Sequence, residues 1–227
     1  MSDSGSRDLA RFIQHTLIAP GVDRAQIDKH AAECVEFGFD AAMVGAAWVP
    51  EMRKLLAGTD IKVATAVDFP YGCMTTTGRV AEMRSVVDAG AQEVDLGVQI
   101  GWLRSGEAQR FTDDLGQVIA AAGGVPVKVM LELPLLTPAE RTLATDAAVQ
   151  AGAKFVKNAS SGAVGVATPE DVGWLRAHVP PSVAVKASGG ITSEAQARAL
   201  LAAGAALLGT SAGLKIVRGG ELPATSY

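Results

Sequence analysis

Ser193-Glu194-Ala195-Gln196-Ala197-Arg198-Ala199-Leu200-Leu201-Ala202-Ala203-Gly204-Ala205-Ala206-Leu207-Leu208-Gly209-Thr210 holds the unit from which the rest of the chain can be read. Ser193–Ala203 reads as a helix, Gly204 as its left-handed stop, and Ala206–Thr210 as a short apolar strand. The same Ala-Gly-Ala punctuation returns at 89–91 and 151–153, each time just ahead of another apolar run. A helix that stops on glycine and feeds a buried strand, repeated along the chain, is a βα repeat.

Working outward, eight apolar runs of strand length appear: Phe12–Leu17, Ala41–Gly45, Lys62–Phe69, Glu93–Gln99, Val127–Leu133, Phe155–Ala159, Val183–Ser188 and Ala206–Thr210. Nearly unbroken Val, Ile, Leu and Ala suit strands buried on both faces, as in a parallel sheet. Helical patterns lie over Asp23–Phe37, Thr76–Ala89, Pro138–Ala151 and Ser193–Ala203, each followed by glycine. In the first of them Ile27, Ala31, Cys34 and Val35 form the apolar set. Eight such strands in 227 residues predict a (β/α)₈ TIM barrel. An open doubly wound sheet would carry a G-x-G-x-x-G turn after its first strand, and none is present. No linker divides the chain. The barrel domain is expected over residues 9–217, after a disordered polar segment at 1–8 and before a C-terminal tail at 218–227.

Composition restricts the function classes. Twenty Lys and Arg against 24 Asp and Glu leave a net charge of −4, and the pI is about 5.4. Nucleic-acid and anionic-membrane partners call for a basic face, so neither is expected. Two cysteines, Cys34 and Cys73, cannot make a disulfide scaffold or a Cys-rich zinc site. Met1–Asp8 lacks the basic and apolar regions of a signal peptide. The most apolar stretch, Ala199–Leu214, is shorter than a membrane span. A soluble cytoplasmic protein with reduced thiols is expected.

Barrel enzymes carry their chemistry at the C-terminal ends of the strands. Ionisable residues inside apolar strands are costly unless paired or used, and four stand out: Asp95, Lys128, Lys157 and Lys186. Lys157 and Lys186 are 29 residues apart, about one βα unit, so adjacent strands would bring their ammonium groups together. Two close cations lower each other's pKa, as does an apolar wall. An ordinary lysine is only about 0.04 % neutral at pH 7, so such a shift is what makes a nucleophilic amine. With a carboxylate such as Asp95 to carry protons through a carbinolamine, the set points to Schiff-base chemistry on a carbonyl. The competing reading pairs the lysines with Asp95 and Glu132 as a structural charge network. Ser188-Gly189-Gly190 and Gly209-Thr210-Ser211, after the last two strands, offer backbone N–H groups where barrels bind phosphate.

These residues together resemble the deoxyribose-phosphate aldolase family, class I aldolases on a (β/α)₈ barrel. The matching stretches are His15-Thr16-Leu17, Val63-Ala64-Thr65, Phe69-Pro70-Tyr71-Gly72, Glu93-Val94-Asp95, Lys128 with Glu132, Phe155-Val156-Lys157, Ala167-Thr168-Pro169-Glu170-Asp171, Val185–Ile191 and Gly209-Thr210-Ser211. The resemblance implies that Lys157 forms the Schiff base, Lys186 depresses its pKa and Asp95 moves protons. It also implies that Ser188, Gly189, Gly190, Gly209 and Ser211 hold substrate or its phosphate. Gln14, Thr16, Lys128 and Asn158 are further candidates. So is Tyr227, because some members end in a tyrosine that folds into the site. The family joins acetaldehyde to glyceraldehyde 3-phosphate or runs in reverse, without metal or organic cofactor. The partners implied are a small aldehyde or sugar phosphate and a second copy of the chain, as a homo-oligomeric dimer.

The chain also departs from the family pattern. Gln14 stands where aspartate is usual, Gly45 where asparagine or tyrosine is, and Asp68 where glycine precedes Phe-Pro. Asn158-Ala159-Ser160-Ser161 replaces Thr-Ser-Thr-Gly, and Thr192 replaces an arginine. A substrate without phosphate therefore remains an alternative within imine chemistry, and Asp68 would favour it if it faced the pocket. A non-catalytic barrel that binds a sugar or sugar phosphate is a second alternative. An isomerase or synthase using lysine and aspartate without an imine is a third. His15, His30 and His178 show no metal-ligand spacing. His30 and His178 are expected at the surface, and His15 near the barrel mouth. Trp48, Trp102 and Trp174 read as packing anchors, and Thr75-Thr76-Thr77 as a helix cap.

Overall fold

The computed structural model describes residues 8–219. The expectations for Tyr227, for the tail beyond residue 219 and for residues 1–7 lie outside the described residues. Eight strands form: β1 (Ile13–Leu17), β2 (Ala41–Val44), β3 (Lys62–Val67), β4 (Glu93–Leu96), β5 (Val127–Met130), β6 (Phe155–Lys157), β7 (Ala184–Ser188) and β8 (Leu207–Thr210). Each pairs in parallel with its sequence neighbour, and β8 returns to β1 to close the barrel. Every strand lies within the apolar run that predicts it. Several stop early, β4 at Leu96 and β5 at Met130, because the remaining residues turn outward into the loops above the barrel.

Nine α-helices appear among the described residues. They are α1 (Arg24–Phe37), α2 (Val49–Leu55), α3 (Thr76–Asp88), α4 (Ile100–Arg104), α5 (Ala108–Ala121), α6 (Pro138–Gln150), α7 (Pro169–His178), α8 (Glu194–Ala202) and α9 (Gly213–Val217). The four helices predicted by pattern are α1, α3, α6 and α8. Their starts are written in side chains. Asp23 and Thr137 form capping boxes with Gln26 and Glu140, while Thr75 and Ser193 accept from the backbone N–H three residues on. Such caps are worth about 1 kcal/mol each. Gly90, Gly152 and Gly204 take φ of 103°, 90° and 107°. That left-handed region is where a side chain would be strained.

Two apolar clusters follow from the strand alternation. One parity, including Ile13, Val44, Val63, Val94, Val129, Val156 and Val185, packs with Ile27, Met83, Phe111, Ala148 and Leu175 from the helices in the main core. The other parity contributes only a small separate cluster, Ala41, Met43, Ala64 and Ala66. Gln14, Asp95, Lys128, Lys157 and Lys186 share that second parity and are all buried. The inside of the barrel is therefore polar over much of its girth, and polar groups there must be paired to be tolerated.

Helix α1 differs from the expected apolar face. His30 is buried and Val35 is 50 % exposed. Positions 27, 30, 31 and 34 complete the stripe at helical spacing, and 35 falls past its edge. The surface position expected for His30 is thus overturned, whereas His178 is exposed and stacks on Trp174. Trp48, Trp102 and Trp174 all pack against the main core, as expected.

Candidate active site

Parallel pairing sets the register of the polar residues. Lys157 on β6 is the Cα partner of Lys186 on β7, Asp95 on β4 of Lys128 on β5, and Met130 of Lys157. Asp95 sits where three lysines converge. Its Oδ2 accepts from Lys157 Nζ at 2.9 Å and from Lys186 Nζ at 2.7 Å. Lys128 Nζ lies 3.3 Å from the other oxygen, Oδ1, and 2.7 Å from Glu93 Oε2. Both contacts are ion pairs of a fully buried ammonium.

Charge sets the protonation of this cluster. Burial alone would raise the Asp95 carboxyl, but Lys157, Lys186 and Lys128 together hold it well below the usual carboxylate range. Burial pushes the Lys186 ammonium down. Lys157 and Lys128 add to the effect and Asp95 opposes it, leaving a pKa of about 7. Glu93 is held below its ordinary value, because Lys128, Gln14 and Lys62 outweigh the cost of burial. Gln14 joins the two halves of the network. Its Oε1 accepts from Lys186 at 2.7 Å, and its Nε2 donates to Glu93 at 2.6 Å and to Asp40 at 2.9 Å.

Above this network a cavity of about 510 Å³ opens at the C-terminal ends of β1, β6, β7 and β8. Lys157 reaches its floor, and among the described residues no other ionisable side chain lines it. Lys157 Nζ also lies 3.4 Å from the Ser160 carbonyl and 3.6 Å from Met130 Sδ. Lys186 and Asp95 are fully buried underneath. An amine facing a pocket, backed by a second lysine and a carboxylate, can add to a carbonyl and pass protons without bulk water.

Residues 13–219 match the DeoC/LacD family of aldolases. The chain belongs to that family. Within the DeoC/LacD aldolases, a deoxyribose-phosphate aldolase from Bdellovibrio bacteriovorus is 41 % identical over 94 % of this chain and 97 % of its own. One from Brevibacillus brevis is 39 % identical over 97 % of this chain and all of its own length. Among solved structures, the tetrameric deoxyribose phosphate aldolase of Aeropyrum pernix superposes with a TM-score of 0.85 at 29 % identity. That match covers 93 % of this chain and 90 % of the Aeropyrum chain.

Viewed as a DeoC/LacD aldolase, the protein sorts its predicted site residues into three places. Lys157, Thr16, Ser188, Gly189, Gly190, Gly209 and Ser211 line the cavity. Asp95, Lys186, Lys128 and Gln14 form the buried network below it. Asn158 does neither. Its side chain bridges β6 to β7, donating to the Ser188 carbonyl at 3.0 Å and accepting from the Ser188 N–H at 2.8 Å. Glu132 stands apart from the lysines as a hydrogen-bond partner. Both of its oxygens accept from the Ser160 N–H at 3.1 Å, and burial raises its carboxyl.

Asp68 does not face the cavity. Its carboxylate accepts from the backbone N–H groups of Cys73 and Met74, both at 3.0 Å, and lies 3.7 Å from the buried Arg79 Nε. Those groups hold the turn after β3, where Asp68 itself takes φ of 53°. At Gly45 an added Cβ would meet nothing within 4 Å, so the missing side chain leaves open space. Sequence reasoning did not single out Met43, Phe69 or Ile191 as lining the cavity. They are apolar residues in apolar runs, and only the strand alternation together with barrel closure brings them to the mouth.

Proposed function

We propose that the protein is a class I aldolase in which Lys157 forms a Schiff base with an aldehyde. The observation that carries this reading is the position of Lys157, facing the cavity while sharing the Asp95 oxygen with Lys186. The reaction is the reversible cleavage of 2-deoxyribose 5-phosphate to acetaldehyde and glyceraldehyde 3-phosphate, the chemistry named for its relatives.

In the cleavage direction the neutral Lys157 amine adds to the aldehyde carbon of the open-chain sugar. The carbinolamine loses water to give an iminium. The hydroxyl beyond the scissile bond then gives up its proton, and the carbon–carbon bond breaks with its electron pair passing into an enamine. Glyceraldehyde 3-phosphate departs, the enamine takes a proton at carbon, and water releases acetaldehyde and restores the amine. Asp95, ionised and bonded to both lysines, is placed to relay these protons, and Lys186, with its pKa of about 7, can hold or release one near neutrality. The backbone at Gly189-Gly190 and Gly209–Ser211 supplies donors for the phosphate end.

A second reading keeps the imine and changes the acceptor. Among the described residues Lys157 is the one ionisable side chain lining the cavity, and a lining so neutral suits an unphosphorylated aldehyde as well. We also propose a cytoplasmic homo-oligomer of at least two chains. Two free cysteines suit a reducing compartment, the Aeropyrum relative is tetrameric, and no helix among the described residues is long and apolar enough to cross a membrane.

Borohydride reduction in the presence of acetaldehyde, followed by peptide mapping, tests the chemistry. An N-ethyl adduct on Lys157, absent in Lys157→Leu, is expected. A folded protein that gives no adduct, or one on another lysine, would sink the assignment. Turnover of glyceraldehyde with and without its phosphate then separates the two acceptor readings.

A further inference from the structure

We propose that His15, His30 and Glu33 form a second site, a binding site for a divalent transition-metal cation with Zn²⁺ the best match. It lies between β1 and α1, on the side of β1 opposite the aldolase cavity. Gln14 and Thr16 face the inside of the barrel, so the intervening His15 points outward to the helix layer. His30 and Glu33 are three residues apart on α1 and so share a helix face. All three are buried.

The geometry points to an ion rather than to a closed hydrogen-bond set. The candidate ligand atoms all lie within 4.8 Å of one another. His15 Nε2 is 3.4 Å from Glu33 Oε2, while Glu33 Oε1 faces Lys29 at 3.8 Å. The other His15 nitrogen, Nδ1, packs against Gly213, where an added Cβ would sit 2.8 Å away. This close approach fixes which edge of the ring is turned to the carboxylate. The two imidazoles stack with centroids 4.6 Å apart. His30 Nε2 is buried with no hydrogen-bond partner, which is rare for a polar atom in a folded core.

Two imidazoles and a carboxylate are the donor set of an open zinc site. Donors about 2.0–2.1 Å from a tetrahedral ion stand roughly 3.3 Å apart. The side chains would therefore close inward by about 1–1.5 Å, a small rotamer adjustment. Metal ligation requires the neutral ring. A bound ion would tie α1 to the strand that carries Gln14 and Thr16.

The test uses tag-free full-length protein stripped with a chelator and titrated with Co²⁺, read by its visible d–d absorption, then with Zn²⁺ as competitor. Saturable binding of about one ion per chain is expected, with the Tm rising on addition of Zn²⁺. His30→Leu and the near-isosteric Glu33→Gln should each weaken Co²⁺ binding at least about tenfold and abolish the Tm response. Glu33→Gln keeps the test decisive should His30→Leu fail to fold. No saturable binding to the wild type, or binding unchanged in the variants as at an adventitious surface thiol, overturns the proposal. Imine trapping at Lys157 reads the aldolase assignment separately, so failure of one does not hide failure of the other.

Discussion

Lys157 and Lys186 are register partners across the β6–β7 seam, and a single oxygen of Asp95 accepts from both. Lys128 lies against the second oxygen, so three buried lysines face two carboxylates, Asp95 and Glu93. Full ionisation would leave an uncompensated cation inside the barrel, which is a cost relieved when one lysine gives up its proton. The barrel interior thus selects for a neutral amine through its charge balance. Asp95→Asn should upset that balance. We expect it to destabilise the protein by about 3 kcal/mol at pH 6 and less at pH 9, above the pKa of about 7 at Lys186. Activity should fall by about 100-fold or more. Urea melts at the two pH values check this, and equal losses at both would contradict it.

The pKa of about 7 at Lys186, against an ordinary 10.5, makes stability depend on pH with a definite sign. Below about 7 the group is protonated in both folded and unfolded chains and contributes no slope. Between about 7 and 10.5 the unfolded chain holds a proton that the folded one has released, so stability rises with pH across that window. The slope is at most about 1.4 kcal/mol per unit. Lys186→Met should remove it, as a difference between wild-type and variant denaturation curves from pH 6 to 10. Because the proposed imine chemistry needs a neutral lysine in the pair, wild-type kcat/KM should also climb with pH through about 7. A flat profile there would separate Lys186 from the chemistry.

The barrel was legible because its strands are continuous apolar runs and its helices end on glycines in register with them. Helix α5 was not among the expected helices: Phe111, Leu115 and Val118 repeat at helical spacing, but its polar start carries no capping side chain to mark it. The charged residues stood out because a lysine in Val127-Lys128-Val129 or Phe155-Val156-Lys157 contradicts its surroundings. Asn158 and Asp68 misled for the opposite reason. Each is polar in a loop above the barrel, where sequence does not distinguish a side chain turned to the pocket from one consumed by backbone N–H groups. His30 looked like a surface residue on type alone, although its spacing from Ile27 and Cys34 places it on the buried stripe.

Gly209 is required by close approach. A Cβ there would lie 2.9 Å from Lys186 Cε and 3.2 Å from Ser188 Oγ. Gly209→Ala must therefore push the Lys186 chain away from Asp95 or move β8 itself. We expect a stability loss of about 1–3 kcal/mol together with a fall in kcat larger than any rise in KM, because the displaced group lies beneath the cavity floor. A crystal structure of the variant should show the Lys186 to Asp95 contact lengthened. An unchanged contact with lowered activity would point instead to the Gly209–Ser211 backbone as the affected element.

Asp68 provides a test of loop architecture against substrate choice. Its carboxylate accepts from two backbone N–H groups and faces the buried Arg79, which is itself paired with Asp114 and bonded to the Gly97 carbonyl. Removing the acceptor leaves two part-buried backbone N–H groups without their partner and the buried Arg79 without a facing carboxylate, at about 1–3 kcal/mol. Asp68→Ala should therefore lower the Tm by several degrees. Since the carboxylate is turned away from the cavity, the ratio of kcat/KM for glyceraldehyde 3-phosphate over glyceraldehyde should stay within about twofold of wild type. A carboxylate facing the substrate would instead repel phosphate, and its removal would raise that ratio by tenfold or more, on the order of the 1–4 kcal/mol that a close like charge costs at effective dielectric constants between water and about 20. A large shift in the ratio with an unchanged Tm would return Asp68 to the substrate pocket.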